Sequence, residues 1–201
     1  PVLALIGIRE DGQREVIAFT AGERENQGAW ENLLSDIKER GVETVDLWIT
    51  DGHQAMLNAI ALKFPHSKRQ RCVRHKMENI LSHVPEKRRD AVREELRAIF
   101  YQPSRVQAEQ VAAAFKEKYW LDYPSAISCM ERDWEACLTF YDYPEQHWAN
   151  LRTSNIIERT FEEVKKRSKK MSAAFRNEGS CLLLFYAVVR SLRFRKIRMP
   201  G

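Results

Sequence analysis

The apolar positions of this chain change period several times, and each change marks an element. Val2 to Ile8 and Arg14 to Thr20 are two short apolar-rich runs separated by Asp11-Gly12. Asp-Gly between such runs is a strong hairpin signal, because glycine accepts the positive φ of a tight turn. An antiparallel pair is therefore predicted at the start. Trp30, Leu33, Leu34 and Ile37 then fall at i, i+3, i+4 and i+7, the stripe of an amphipathic helix that stops at Gly41. Thr44 to Thr50 reads as a buried strand ending at Asp51-Gly52. Leu57, Ile60, Ala61 and Phe64 repeat the helical spacing until Pro65 ends that element, and Gln70 to Val73 reads as a further short strand. The order strand, strand, helix, strand, helix, strand predicts an α/β fold with a mixed sheet and helices on its faces.

From about Met77 to Tyr143 every periodic segment is helical, punctuated by Pro85, Pro103, Pro124 and Pro144. Ile127, Met130, Trp134, Leu138 and Tyr141 make the clearest stripe there, and core packing accounts for it. Glu178 to Ile197 reads as one long helix, apolar in its first half, with Arg190, Arg193, Arg195, Lys196 and Arg198 along and just past its second. Three parts are expected: a sheet portion over 1–76, an all-helical insertion over 77–150, and C-terminal helices over 151–201.

Composition narrows the class. At 201 residues, 44% hydrophobic and 30% charged, with no low-complexity tract, the chain is an ordinary globular one with room for one core plus an insertion. The longest apolar run, Cys181 to Val189, is far too short to cross a bilayer, so no membrane span is expected. Cys72, Cys129, Cys137 and Cys181 lack disulfide-framework spacing, which suits a reducing cytoplasm. Charge is uneven: residues 151–201 hold 13 Lys/Arg against 4 Asp/Glu, whereas residues 1–150 hold 20 against 24. The basic end is the expected face toward a polyanion, a solvated helix face being the bland alternative.

Two acids stand out. Asp51 follows a strand and precedes a glycine, the place where open α/β sheets present ligands, although an aspartate there can equally cap the next helix. Glu158 lies at the edge of the stripe Ile157, Phe161, Val164, and Asn155-x-x-Glu158 also fits a capping box. Lys165 follows Glu158 by seven residues, two helical turns, so one surface can offer an acid to a metal and a cation to a phosphate.

Four segments occur in a telling order: Ile49-Thr50-Asp51-Gly52-His53, Gln70-Arg71-Cys72-Val73-Arg74-His75, the stretch holding Phe140-Tyr141 and His147-Trp148, and Thr153-Ser154-Asn155-Ile156-Ile157-Glu158-Arg159. Together they resemble the Mutator-type insertion-sequence transposases, DDE enzymes with a ribonuclease H-like fold, over essentially the whole chain. The resemblance implies that Asp51 and Glu158 are the second and third catalytic, metal-binding acids, separated by the helical insertion. It implies two Mg²⁺ (or Mn²⁺) ions, DNA as substrate, nicking and strand transfer, and a homo-oligomer working on paired DNA ends at the nucleoid. Arg159, Lys165, Lys166, Arg167, Lys169 and Lys170 would meet DNA phosphates. Cys72 and His75 match the family's Cys-x2-His signature, while His53 and Asn155 lie within the motifs with no settled role. One Cys and one His make only half of a tetrahedral zinc site, so a packing or DNA-proximal role is expected for them rather than structural zinc.

The pattern departs at its start, because the first aspartate of such enzymes belongs on a central strand before the opening hairpin. Asp11 sits in the hairpin turn and Asp46 on the opposite face of an alternating strand, so neither replaces it. The chain as it stands is expected to be inactive alone. A non-catalytic DNA-binding remnant or domesticated relative, and an α/β scaffold whose two acids merely cap helices, are the competing readings. Reversing Lys165 and Lys169 to Glu is expected to weaken binding to all duplexes alike in a salt-titrated binding assay. A loss confined to one sequence would contradict the phosphate assignment.

Overall fold

The computed structural model describes residues 2–21, 24–170, 178–191, 194 and 196. Within them the chain is mixed α/β, dominated by helix, and divides into two compact units that exchange the chain several times. The first comprises Pro1–Val45, His53–Ser67 and Ser154–Gly201, the second Asp46–Gly52 and Lys68–Thr153.

In the first unit, β1 (Val2–Ile8) pairs antiparallel with β2 (Arg14–Ala21) from Val2↔Ala21 to Ile8↔Arg14, with a bulge between Leu5 and Ile6. The turn forms for the expected reason: Gly12 takes φ +81°, and the Asp11 carboxylate accepts from Gln13 N at 2.9 Å. Helix α1 (Gln27–Glu39) starts where the Asn26 side chain accepts from Ala29 N. It buries Trp30, Leu33, Leu34 and Ile37, and ends where Gly41, at φ +97°, lets Val42 N return to the Ile37 carbonyl at 3.0 Å. Helix α2 (Gln54–Lys63) packs on α1. Its buried face is Met56, Ala59 and Ile60 with Phe64 at the cap, whereas the expected Ala61 is exposed.

Helices α9 (Asn155–Lys170) and α10 (Glu178–Ser191) complete this unit, α9 against β1 and α10 against β2. Phe185 is their shared anchor, with ring centroids 4.8 Å from Phe19 and 5.5 Å from Phe161. α10 ends at Ser191, short of the Ile197 expected, and Arg193, Arg195 and Arg198 lie outside the described residues.

In the second unit, β3 (Leu47–Thr50) pairs parallel with β4 (Lys68–Arg71), from Leu47↔Lys68 to Thr50↔Arg71. β4 therefore begins and ends two residues before the predicted Gln70 to Val73. Among the described residues the four strands form two separate two-stranded ladders rather than the single mixed sheet expected. Isolated two-stranded ladders are marginal in water, and helices support this one. Gln70, fully buried, donates to the Cys137 carbonyl at 3.0 Å and accepts from Phe140 N at 2.7 Å, tying β4 to the segment after α7 (Trp134–Leu138). A buried amide satisfied on both ends fixes register where an apolar side chain could not.

Around this ladder stand α3 (Val73–Leu81), α4 (Glu86–Phe100), α5 (Arg105–Tyr119), α6 (Pro124–Glu131), α7, a 3-10 turn over Thr139–Asp142 and α8 (Glu145–Leu151). Val92, Leu96, Ile99, Phe100, Ala108, Phe115, Ile127, Met130 and Leu138 meet in one continuous core. The stripe from Ile127 to Tyr141 joins that core, yet it is not one helix. Asp133, at φ +62°, breaks it between α6 and α7. Leu96→Ala, at a site with no exposure, is expected to cost about 2–5 kcal/mol in denaturant unfolding. A change under about 1 kcal/mol would mean that this core collapses around the void.

Candidate functional site

Asp51 occupies the place foreseen for it, exposed at the carboxyl end of β3. Two features bring the chain sharply away there. Gly52 takes φ +84°, and its N–H donates to Thr50 Oγ1 at 3.2 Å. The parallel partner continues alongside: Cys72 N donates to the Thr50 carbonyl at 2.7 Å, so α3 starts beside the strand end. Cys72 sits at the cap of α3 and His75 one turn on, a sulfur and an imidazole nitrogen lying within 4.8 Å of each other. Burial holds His75 below its ordinary pKa, and Arg74 and Arg71 push the same way. Asp51, the strongest opposing charge, and Glu78 pull it upward. His75 is thus a neutral ring near physiological pH, within the electrostatic reach of Asp51.

A residue that sequence reasoning passed over lies closest of all to the Asp51-Gly52 turn. Arg71, the last residue of β4, is only 6% exposed, and its guanidinium packs against Gly52. In the sequence it lies in the predicted strand Gln70 to Val73 and closes a polar tetrapeptide, Lys68-Arg69-Gln70-Arg71, which gives no sign of burial. The available signal was its position: paired with Thr50 in a parallel ladder, it is buried on one face of β4 while Gln70 is buried on the other.

The other acid belongs to the first unit. Glu158 is half-buried in the first turn of α9, beside the fully packed Thr160 and the partly buried Ile157 and Phe161. α9 begins at Asn155, and Ile157 N and Glu158 N both donate to the Ser154 carbonyl. Arg159, Lys165, Lys166 and Arg167 are exposed along α9. Lys166 pairs with Glu163 at 3.0 Å and Arg167 donates to Ser191 Oγ, while the side chains of Lys169 and Lys170 lie outside the described residues. His53 meets Glu25 at 3.5 Å.

The two weaker acids are engaged elsewhere. Asp11 is held in its turn, and the Gln13 N–H keeps its carboxyl below the ordinary value. Asp46 stands beside Tyr143, whose hydroxyl is pushed well up, first by burial and then by that carboxylate.

Gly52 and Gly41 share a left-handed backbone but differ in surroundings. A Cβ at Gly41 meets nothing within 4 Å, whereas at Gly52 it would lie 2.5 Å from Arg71 Nε. Gly41→Ala is expected to cost about 1 kcal/mol from backbone strain alone. Gly52→Ala should cost clearly more in parallel urea titrations, since the buried guanidinium must also move. Equal costs would mean that Arg71 yields freely.

The family model for "Transposase, Mutator family" matches residues 1–196. The chain is 36% identical over 201 residues to the transposase for insertion sequence element IS6120 of Mycolicibacterium smegmatis, covering 99% of this chain and 62% of that protein. It is 34% identical over 170 residues to the transposase for IST2 of Acidithiobacillus ferrooxidans, covering 84% and 57%. It is 34% identical over 187 residues to the transposase for ISRM5 of Rhizobium meliloti, covering 93% and 47%. The chain thus spans about half to two-thirds of the length of these curated relatives. On the extent of that match, from the first residue to Lys196, the chain belongs to the Mutator family of transposases.

Proposed function

We propose that this chain is the catalytic core of a DNA transposase of ribonuclease H-like fold, which cleaves strands at transposon ends and transfers the freed 3′ end into target DNA. The observation that carries the proposal is the exposed Asp51 carboxylate at a strand end, in a chain whose family match runs through Glu158 as well. Family relatives named as insertion-sequence transposases support the reading. The division into a sheet portion (1–76), a helical insertion (77–150) and C-terminal helices (151–201) is kept as part of the proposal.

The donor set suits a hard cation. Asp51 and Glu158 offer carboxylate oxygens, which Mg²⁺ selects over sulfur and imidazole. An aspartate supplied from outside this chain would complete the set. When bound, two Mg²⁺ or Mn²⁺ ions would supply Lewis acidity at the phosphate and a more acidic attacking water. The chain's own part is to fix the acids: Asp51 by the turn at Gly52, Glu158 by the packed first turn of α9. Arg159, Lys165, Lys166, Arg167, Lys169 and Lys170 bind backbone phosphates and hold the duplex without reading its sequence. DNA is the partner, at the nucleoid, and a homo-oligomer on paired ends is the working form. Among the described residues no helix is long and apolar enough to cross a membrane.

In the full-length transposase, Asp51→Asn and Glu158→Gln are each expected to lower nicking of a transposon-end duplex by at least about 100-fold. Duplex affinity measured without metal should change little, because neither acid is assigned to phosphate binding. Nicking at the unaltered rate by either variant would remove that residue from the site.

A further inference from the structure

Arg71 carries a charge that its surroundings meet only in part. Its side chain is 7% exposed, and its nearest carboxylate, Asp133, lies 3.9 Å from Nε with 41% exposure of its own. That same carboxylate oxygen also faces Lys76, 3% exposed, at 3.8 Å. Two buried cations therefore share one half-exposed acid. Lys76 donates to the Arg132 carbonyl, but Arg71 Nε and Nη1 are buried without a hydrogen-bond partner among the described residues. Only Nη2 is met, by the Asn79 amide oxygen at 2.9 Å when that amide is turned to face it.

Such an arrangement is costly for stability alone, since a buried charge normally needs close pairing and its full set of hydrogen bonds. The surrounding chain nevertheless bends to keep it. Asp133 is the only described non-glycine residue with a positive φ, at +62°. It stands at the cap of α7 without capping it, and its side chain turns instead to the two cations. Aspartate enters the left-handed region more readily than most residues, and here that conformation coincides with a side chain set toward two buried cations. The cluster lies against the turn after β3: the guanidinium packs on Gly52, directly after Asp51, and its charge is felt at His75 in the first turn of α3.

We propose that Arg71 is a positioning residue for Asp51: its buried guanidinium, set toward Asp133 and packed against Gly52, locks the Asp51-Gly52 turn and so fixes where the Asp51 carboxylate points. The inference rests on the reading of Asp51 as a metal-binding acid and adds to it the element that orients that acid. Arg71 itself touches neither metal nor DNA. Its effect on the reaction passes through Asp51.

The test uses full-length transposase carrying Arg71→Met, which keeps a long side chain without charge, or Arg71→Lys, which keeps the charge. Thermal unfolding and duplex affinity are measured in metal-free buffer, and nicking of a transposon-end duplex with Mg²⁺, with Asp51→Asn alongside. The expected result separates stability from function. Arg71→Met unfolds at the parental temperature or above, because an incompletely paired buried charge is gone, binds duplex within twofold, and nicks at least tenfold more slowly. Arg71→Lys recovers a substantial part of that loss. Parental nicking by Arg71→Met while Asp51→Asn is inactive overturns this inference and leaves the acid assignment standing. Parallel loss of unfolding temperature and nicking in both Arg71 variants overturns it as well, reducing Arg71 to a brace. Full activity of Asp51→Asn overturns both together.

Discussion

One short parallel ladder fixes the surroundings of Asp51. β3 and β4 pair over only four positions, yet the last of these, Thr50↔Arg71, fixes what stands next to Asp51. The hydrogen bond from Cys72 N to the Thr50 carbonyl extends the pairing one step past the strand and launches α3 from the same point. A slip of one residue would move every β4 side chain to the other face, taking Gln70 away from Cys137 and Phe140 and Arg71 away from Gly52. The register is held by polar groups: Gln70 bonded on both ends, Thr139 Oγ1 on the Arg69 carbonyl at 2.8 Å, and Arg71 set toward Asp133. The helical core around Leu96, Ile99 and Phe100 supplies the bulk of the burial in this unit. It does so without dictating register, which the polar contacts do.

Local signals were enough for part of this. The hairpin, the α1 stripe and the helical character of the insertion each follow from spacing plus a glycine or proline that ends the element. Asp51 at a strand end was legible for the same reason, since Asp-Gly after an apolar run means a turn. What depended on tertiary pairing was not. Nothing in the run from Thr44 to Thr50 reveals that only Leu47–Thr50 finds a partner. The sum of alternating strands and helices implied one sheet, but hydrogen-bond partners are chosen by neighbours far away in sequence, and the described strands pair off in two ladders. The stripe from Ile127 to Tyr141 kept helical spacing across a left-handed residue, so periodicity alone missed the break at Asp133. α2 showed a smaller error of the same kind. Its alanines sit on both faces, and Ala59 is buried while Ala61 is not.

Arg71 shows most clearly where residue type misleads. A basic residue in a polar tetrapeptide is ordinarily solvated, and here it is among the most buried charges in the chain. Its burial comes from the elements that cover β4, which the sequence places 60 or so residues away around Asp133. The division of labour that results is plain in charge terms. α9 carries its exposed cations where they meet solvent and, on the proposed reading, phosphate. The second unit keeps two cations inside, beside a strand end that bears an acid.

On the proposed reading, Asp51 and Glu158 are ligands of one divalent cation. Diffraction from crystals of the full-length transposase bound to transposon-end DNA and Mn²⁺ tests it directly, because the anomalous signal of manganese locates the ion independently of any coordinates. The account predicts an anomalous peak within about 2.5 Å of a carboxylate oxygen of Asp51 and of Glu158 alike. A peak that touches only one of them, or that lies on other residues altogether, would contradict it.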